Sequence, residues 1–244
     1  MMNKAKKTAT TAGFIYLVVI VTGMFSLAYV PKKLIDWNDA AHTFNCIHAN
    51  PFLFRLGIYS SIVCYVAFVF LPLFLYKLFR TVSISYAVAM VILALIGVIL
   101  SFNNLQNSYT VLALVSDGFF IKNIAVKELQ SLVFFSLHQY DSGILLASLF
   151  WGLWLFPFGM LVYRSAFAPW LLGILLMLGC AGYVINFTGN TLLENYSAIG
   201  IKKYMSLLPA IAELSTCAWL LFFGLKKSEQ WRTKKSSTRI LQSI

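Results

Sequence analysis

Apolar residues in this chain come in long uncharged blocks separated by short polar stretches. Six blocks are long enough to cross a bilayer, at residues 11–30, 53–77, 83–103, 143–163, 169–188 and 205–225. About 20 consecutive apolar residues span the hydrocarbon core, and lipid obliges such a segment to satisfy its own backbone as a helix. None of the blocks alternates with period two, so barrel strands are not expected. Residues 104–139 read differently. A moderately apolar stretch at 109–115 is broken by Asp117 and Gly118 and followed by the polar 122–130. This predicts a helical extension of the third span, a turn, and a helical lead-in to the fourth. A seventh span there is too short and too polar. The expected class is all-α: a polytopic membrane protein built as a six-transmembrane-helix bundle.

Composition agrees. Of 244 residues, 60% are hydrophobic and 11% charged, against about 25% charged in soluble domains. Mean hydropathy is +0.80. The expected organisation is a single transmembrane domain over 1–225 and a basic tail over 226–244, too poor in large apolar residues to form a core of its own.

The net charge of +11 sets orientation. With both termini cytoplasmic, the inner side takes 12 of the 19 basic residues, among them Lys4, Lys6, Lys7, Lys77, Arg80, Arg164 and the tail cluster. The outer side keeps Lys32, Lys33, Arg55, Lys122, Lys127, Lys202 and Lys203, diluted by Asp36, Asp39, Asp117, Glu128 and Glu194. An excess of cytoplasmic basic residues is the usual topology signal. The tail is expected to attract anionic lipid. Nothing calls for a nucleic-acid partner.

The lysines ahead of the first apolar run, with Ser26-Leu27-Ala28 behind it, imitate a cleavable signal. The run is longer than a secretory core, so a retained span is expected. Cys64, Cys180 and Cys217 fall inside spans and Cys46 stands alone in the first outer loop. There is no CxxC and no metal-ligand spacing, so neither disulfides nor a metal are expected.

Polar groups inside the spans can be placed by depth at about 1.5 Å per residue. Asp141 lies roughly 34 Å from Arg164, at the outer interface, with His138 one turn further out. Asn104 sits at a similar height; Asn186 lies roughly 25 Å from Pro169, and Glu213 roughly 20 Å from Lys226. Arg55 opens the second span from outside. The polar groups gather in the outer half.

Helical faces carry the same signal. On the fourth span, His138, Asp141, Leu145, Ser148, Gly152, Leu155 and Gly159 share one stripe, while Phe150, Trp154 and Phe158 share another. Small residues permit close helix approach. The first stripe is therefore expected to face protein, and the aromatic one lipid. Asparagine and serine on such faces ordinarily serve as interhelical glue, worth about 0.6 kcal/mol each. Glu213 is less ordinary, because a carboxylate deep in a bilayer costs roughly 2.5–3.5 kcal/mol and usually marks function.

Several stretches are similar to one known family. "FWGLWLFPFGMLVYRSAFAPWLLGILLMLGCAGYVINF" from Phe150, "NPFLFRLGIYSSIVCYVAF" from Asn50, "AGFIYLVVIVTGMF" from Ala12 and "PAIAELSTCAWLLFFGL" from Pro209 together resemble the bacterial membrane family called domain of unknown function 4386. The resemblance covers nearly the whole chain. It is most specific at Gly152, Gly159, the Tyr163-Arg164-Ser165 turn with Pro169 and Gly173, Arg55 with Gly57, and Glu213 before Trp219. Members often carry an acidic residue in the second span, where this chain has Ser60-Ser61. The resemblance implies a bacterial inner-membrane location. It supplies no activity.

Three function classes fit. The leading one is an outward-facing polar pocket for a small polar or amphipathic ligand. His138 and Asp141 form its rim, Asn104 and Asn186 its walls and Glu213 its floor, with Arg55 as countercharge. The second is a membrane-embedded enzyme using His138, Asp141 and Glu213, although no GxSxG, HExxH or paired-carboxylate pattern supplies a nucleophile or base. The third is an accessory subunit whose polar groups only lock helices. A transporter is disfavoured, because the halves show no repeat and the inner half has no polar path.

Overall fold

A computed structural model describes residues 2–116 and 124–223. The sequence-predicted tail and the interruption at Asp117 and Gly118 lie outside the described residues. Within them the chain is helical, with no strand. Six helical segments are long and apolar enough to cross a membrane: Ala5–Leu34, Pro51–Phe79, Ile84–Val115, Val126–Arg164, Trp170–Leu192 and Ile201–Phe222. All six expected spans are present. Each is longer than its purely apolar block, because a helix continues wherever i→i−4 bonding remains available.

The first span is α1 (Met2–Met24), a π-helical turn (Phe25–Tyr29) and α2 (Val30–Leu34). Pro31 causes the irregularity. It has no N–H to donate, and the turn before it widens so that the Val30 N–H reaches back to the Phe25 carbonyl. Then α3 (Ala40–Ala49) follows, a helix that the hydropathy pattern does not predict. Asp39 caps it by accepting from the His42 N–H at 2.8 Å. Thr43 ties the preceding loop down, accepting from the Asp36 N–H and donating to the Asp36 carbonyl, both at 2.9 Å.

The second and third spans are α4 (Pro51–Phe79) and α5 (Ile84–Val115). At 32 residues α5 is about 48 Å long, which exceeds the roughly 30 Å hydrocarbon core and confirms the expected extension. The fourth span is α6 (Val126–Leu153) and α7 (Leu155–Arg164). Their junction at Trp154 falls where Pro157 cannot donate to the Leu153 carbonyl. The last two spans are α8 (Trp170–Leu192) and α9 (Ile201–Ala218), the latter ending in a π-helical turn, Trp219–Phe223.

The chain divides into two compact units. One takes residues up to Leu17, Val69–Leu95, and the described residues from Leu149 onward. Here α7 and α8 meet backbone to backbone, since a β-carbon on Gly159 would stand 2.7 Å from the Gly173 carbonyl oxygen. Gly179 and Gly182 seat α8 against Pro209 and Met205 of α9 in the same way. Trp154 and Phe158 are fully buried in this unit, stacked with ring centroids 5.4 Å apart. Phe158 meets Phe79 edge to face, and Trp154 leans on Tyr16. This corrects the assignment of that aromatic stripe to lipid: the helix is packed on both faces, and the large rings fill space as the glycines admit neighbours.

The other unit takes Val18–Phe68 and the described residues of Ile96–Ser148. Its core joins Val30 and Leu34 of the first span, Phe44 and Ile47 of α3, Phe54 and Ile58 of α4, Val111 and Val115 of α5, and Leu129, Val133 and Leu137 of α6. The extensions of α5 and α6 thus find their apolar partners in α3.

Candidate functional site

Four of the expected site residues lie in the second unit. Asn104, on α5, is buried; its amide donates to the Tyr140 carbonyl at 2.8 Å and its oxygen accepts from Asn107 at 2.9 Å. Gly143 makes room for it, since a β-carbon there would overlap the amide. His138 and Asp141 are both exposed on α6. The His138 ring packs 5.0 Å from that of Trp37 and 4.7 Å from that of Phe134. Arg55 is exposed in the first turns of α4 and pairs with no carboxylate among the described residues.

Beside Asp141 a recess of about 190 Å³ opens between the first span, α4, α5 and α6. Leu27, Val30, Leu34, Phe54, Ile58, Leu137 and Ile144 form apolar walls, and Ser26, Ser61, Ser108, Tyr140 and Asp141 bring polar groups to it. Phe54 and Ser61 lie seven residues apart along α4, so the recess runs roughly 10 Å along the helix. Gly57 borders it, packed on Val30 so closely that a β-carbon would sit 3.0 Å from a Val30 methyl. The hydroxyls of Ser61, Tyr65 and Tyr140 lie near one another at the Ser61 end of the recess. Of the expected site residues only Asp141 lines this recess; Arg55, Asn104, His138, Asn186 and Glu213 do not, and His138 reaches it only through its ring contact with Trp37.

The other two expected residues lie in the first unit. Asn186 donates to Ser206 at 3.0 Å and accepts from the Tyr196 hydroxyl at 2.8 Å, tying α8 to α9 and to the turn between them. Gly189 gives Tyr196 its place, for a β-carbon there would overlap the ring. Glu213 sits on the face of α9 that carries the buried Pro209, Ala212, Thr216 and Cys217. The hydroxyls of Tyr16 and Tyr183 are turned to its carboxyl, and the fully buried Tyr16 oxygen stops short of a completed hydrogen bond. Tyr16 ends the small-residue stripe Ala9, Ala12, Gly13 of α1, all buried, and the Cys217 thiol reaches the Gly13 carbonyl at 3.5 Å.

Tyr16, Tyr183, Tyr140, Ser61 and Trp37 are polar-tipped residues that the reading by charge and amide groups passes over. A signal for Tyr16 and Tyr183 does exist: each falls on its helix's glycine and alanine stripe, where a hydroxyl can meet a carboxyl.

Six helices long and apolar enough to cross a bilayer, and no strand among the described residues, define an all-α, multi-pass membrane protein. The chain belongs to the family described as Domain of unknown function (DUF4386), which matches residues 11–224. No curated protein and no solved structure matches it.

Proposed function

We propose that this chain binds a small polar or amphipathic molecule in an outward-opening recess of its second unit, with Asp141 at the rim and His138 bracing the lining residue Trp37. The observation that carries the reading is the 190 Å³ recess itself, apolar along its walls and polar at Ser61, Tyr140 and Asp141. Ligand sites are concave and mostly apolar, with a few convergent polar groups. This volume is below the roughly 300–1,000 Å³ of drug-sized sites, so a small molecule or part of a larger one fits. Binding is favoured over catalysis because the His138 imidazole is engaged in ring packing with Trp37 and Phe134. Asn104 supports the rim by holding the Tyr140 backbone. In the same reading both termini face the cytoplasm of a bacterial cell, the transmembrane domain ends near residue 225, and the basic tail rests on anionic lipid.

Native mass spectrometry of the full chain, extracted from its host membrane with its lipids, tests this. A co-purifying small molecule is expected on the wild type and is lost when Ser61→Phe or Leu27→Trp fills the recess. An identical set of adducts on wild type and on both folded variants overturns the reading.

A further inference from the structure

Two recesses of the second unit share a wall. Leu34, Ile35 and Trp37 line both the apolar-walled recess and a polar one of about 390 Å³. The polar one is completed by Lys32, Lys33, Asp36, Asn38 and His42. Its one acid, Asp36, is already engaged at the backbone. The Asp36 carboxylate accepts from the Asn38 N–H at 3.0 Å, and the neighbouring Asp39 carboxylate accepts from the His42 N–H at 2.8 Å. Lys32 and Lys33 are exposed and have no carboxylate partner among the described residues.

Lysines at the end of a span commonly complement a helix C-terminus or reach for lipid head groups. Those roles do not require a recess. Here the two lysines line a polar recess whose shared wall includes Trp37, its indole packed on His138. The apolar-walled recess is bounded by the same Leu34, Ile35 and Trp37.

Resting on the binding reading above, we propose that the ligand is an amphipath whose phosphate or carboxylate head is held by Lys32 and Lys33 while its apolar portion enters the recess past Trp37. The geometry supplies both halves of such a molecule with complementary surroundings.

Octyl phosphate, octyl glucoside and inorganic phosphate serve as probes, titrated against the full chain in phosphatidylcholine nanodiscs. Octyl phosphate is expected to bind, octyl glucoside more weakly, and inorganic phosphate not at all. The Lys32→Gln/Lys33→Gln variant should bind octyl phosphate roughly 10–30-fold more weakly and octyl glucoside as before. Ser61→Phe or Leu27→Trp should lose both alkyl probes. If the recess-filling variants lose the alkyl probes while the lysine variant keeps its full preference for octyl phosphate, the head-group inference is overturned and the recess stands. If those variants lose nothing, the recess reading itself fails. Inorganic phosphate binding as tightly as octyl phosphate overturns the amphipath. Repeating the titration in phosphatidylglycerol nanodiscs separates the sources. Weaker apparent affinity there marks a bilayer lipid as the native occupant, and equal affinity marks a freely diffusing amphipath; both sustain the head-group chemistry.

Discussion

The imidazole of His138 rests against the indole of Trp37, ring centroids 5.0 Å apart and planes inclined by 55°. A residue that reads in sequence as an acid or base therefore has a mechanical task as well, bracing the loop ahead of α3. His138→Phe is expected to preserve the packing, and His138→Ala to weaken it by about 0.5–1.5 kcal/mol. Hydrogen exchange over residues 35–49 reads this out: protection should fall for Ala and hold for Phe. Equal loss in both variants would point to the imidazole nitrogens rather than the ring face.

Gly143 and Asn104 form a second dependent pair. A methyl at 143 overlaps the Asn104 amide, so Gly143→Ala should cost about 1–3 kcal/mol and break the hydrogen bond to the Tyr140 carbonyl. Adding Asn104→Ala removes the obstruction. The two substitutions together should cost less than the sum of their separate effects, by about 0.5 kcal/mol or more, in reversible unfolding from mixed micelles. Strict additivity would refute the contact.

Glycines in this chain are not equivalent. Gly159→Ala drives a methyl onto the Gly173 carbonyl oxygen, whereas at Gly23 the nearest atom to an added methyl is the Cys64 sulfur at 3.4 Å. Thermal denaturation should show Gly159→Ala destabilised by about 1–3 kcal/mol and Gly23→Ala changed by less than about 0.5 kcal/mol.

Glu213 faces the Tyr16 and Tyr183 hydroxyls. Glu213→Gln keeps an acceptor between them and should be tolerated. Glu213→Leu replaces the polar neighbour of two hydroxyls with an apolar one, at about 1 kcal/mol. Adding Tyr16→Phe and Tyr183→Phe to Glu213→Leu should restore most of that stability. If the triple variant is no more stable than Glu213→Leu alone, the tyrosines are not what the carboxyl serves.

Topology is directly testable. The basic asymmetry predicts a cytoplasmic signal from a reporter fused after residue 225 and an extracytoplasmic signal from one inserted near Glu194. Two basic residues at the predicted inner ends already have aromatic partners: Lys77 lies over Phe74 at 5.1 Å and Arg164 over Tyr86 at 5.0 Å. An extracytoplasmic C-terminal fusion would sink the arrangement.

Class, span number and the extension of α5 were all legible in the linear chain. These depend on length and local composition, which a bilayer reads one helix at a time. The helix α3 was hidden in the polar stretch between the first two spans, although Asp39 as its cap and the Asn50-Pro51 step at its end mark its limits. What tertiary structure alone decided is which faces meet. Trp154 and Phe158 turned inward, Tyr16 and Tyr183 came to Glu213, and Asn104 and Asn186 were absorbed into helix contacts. The reason is physical: lipid tails are as apolar as a protein interior, so no hydrophobic gradient distinguishes a helix face that meets protein from one that meets lipid. That choice is made by the fit of particular rings against particular glycines, and fit exists only once the helices are assembled.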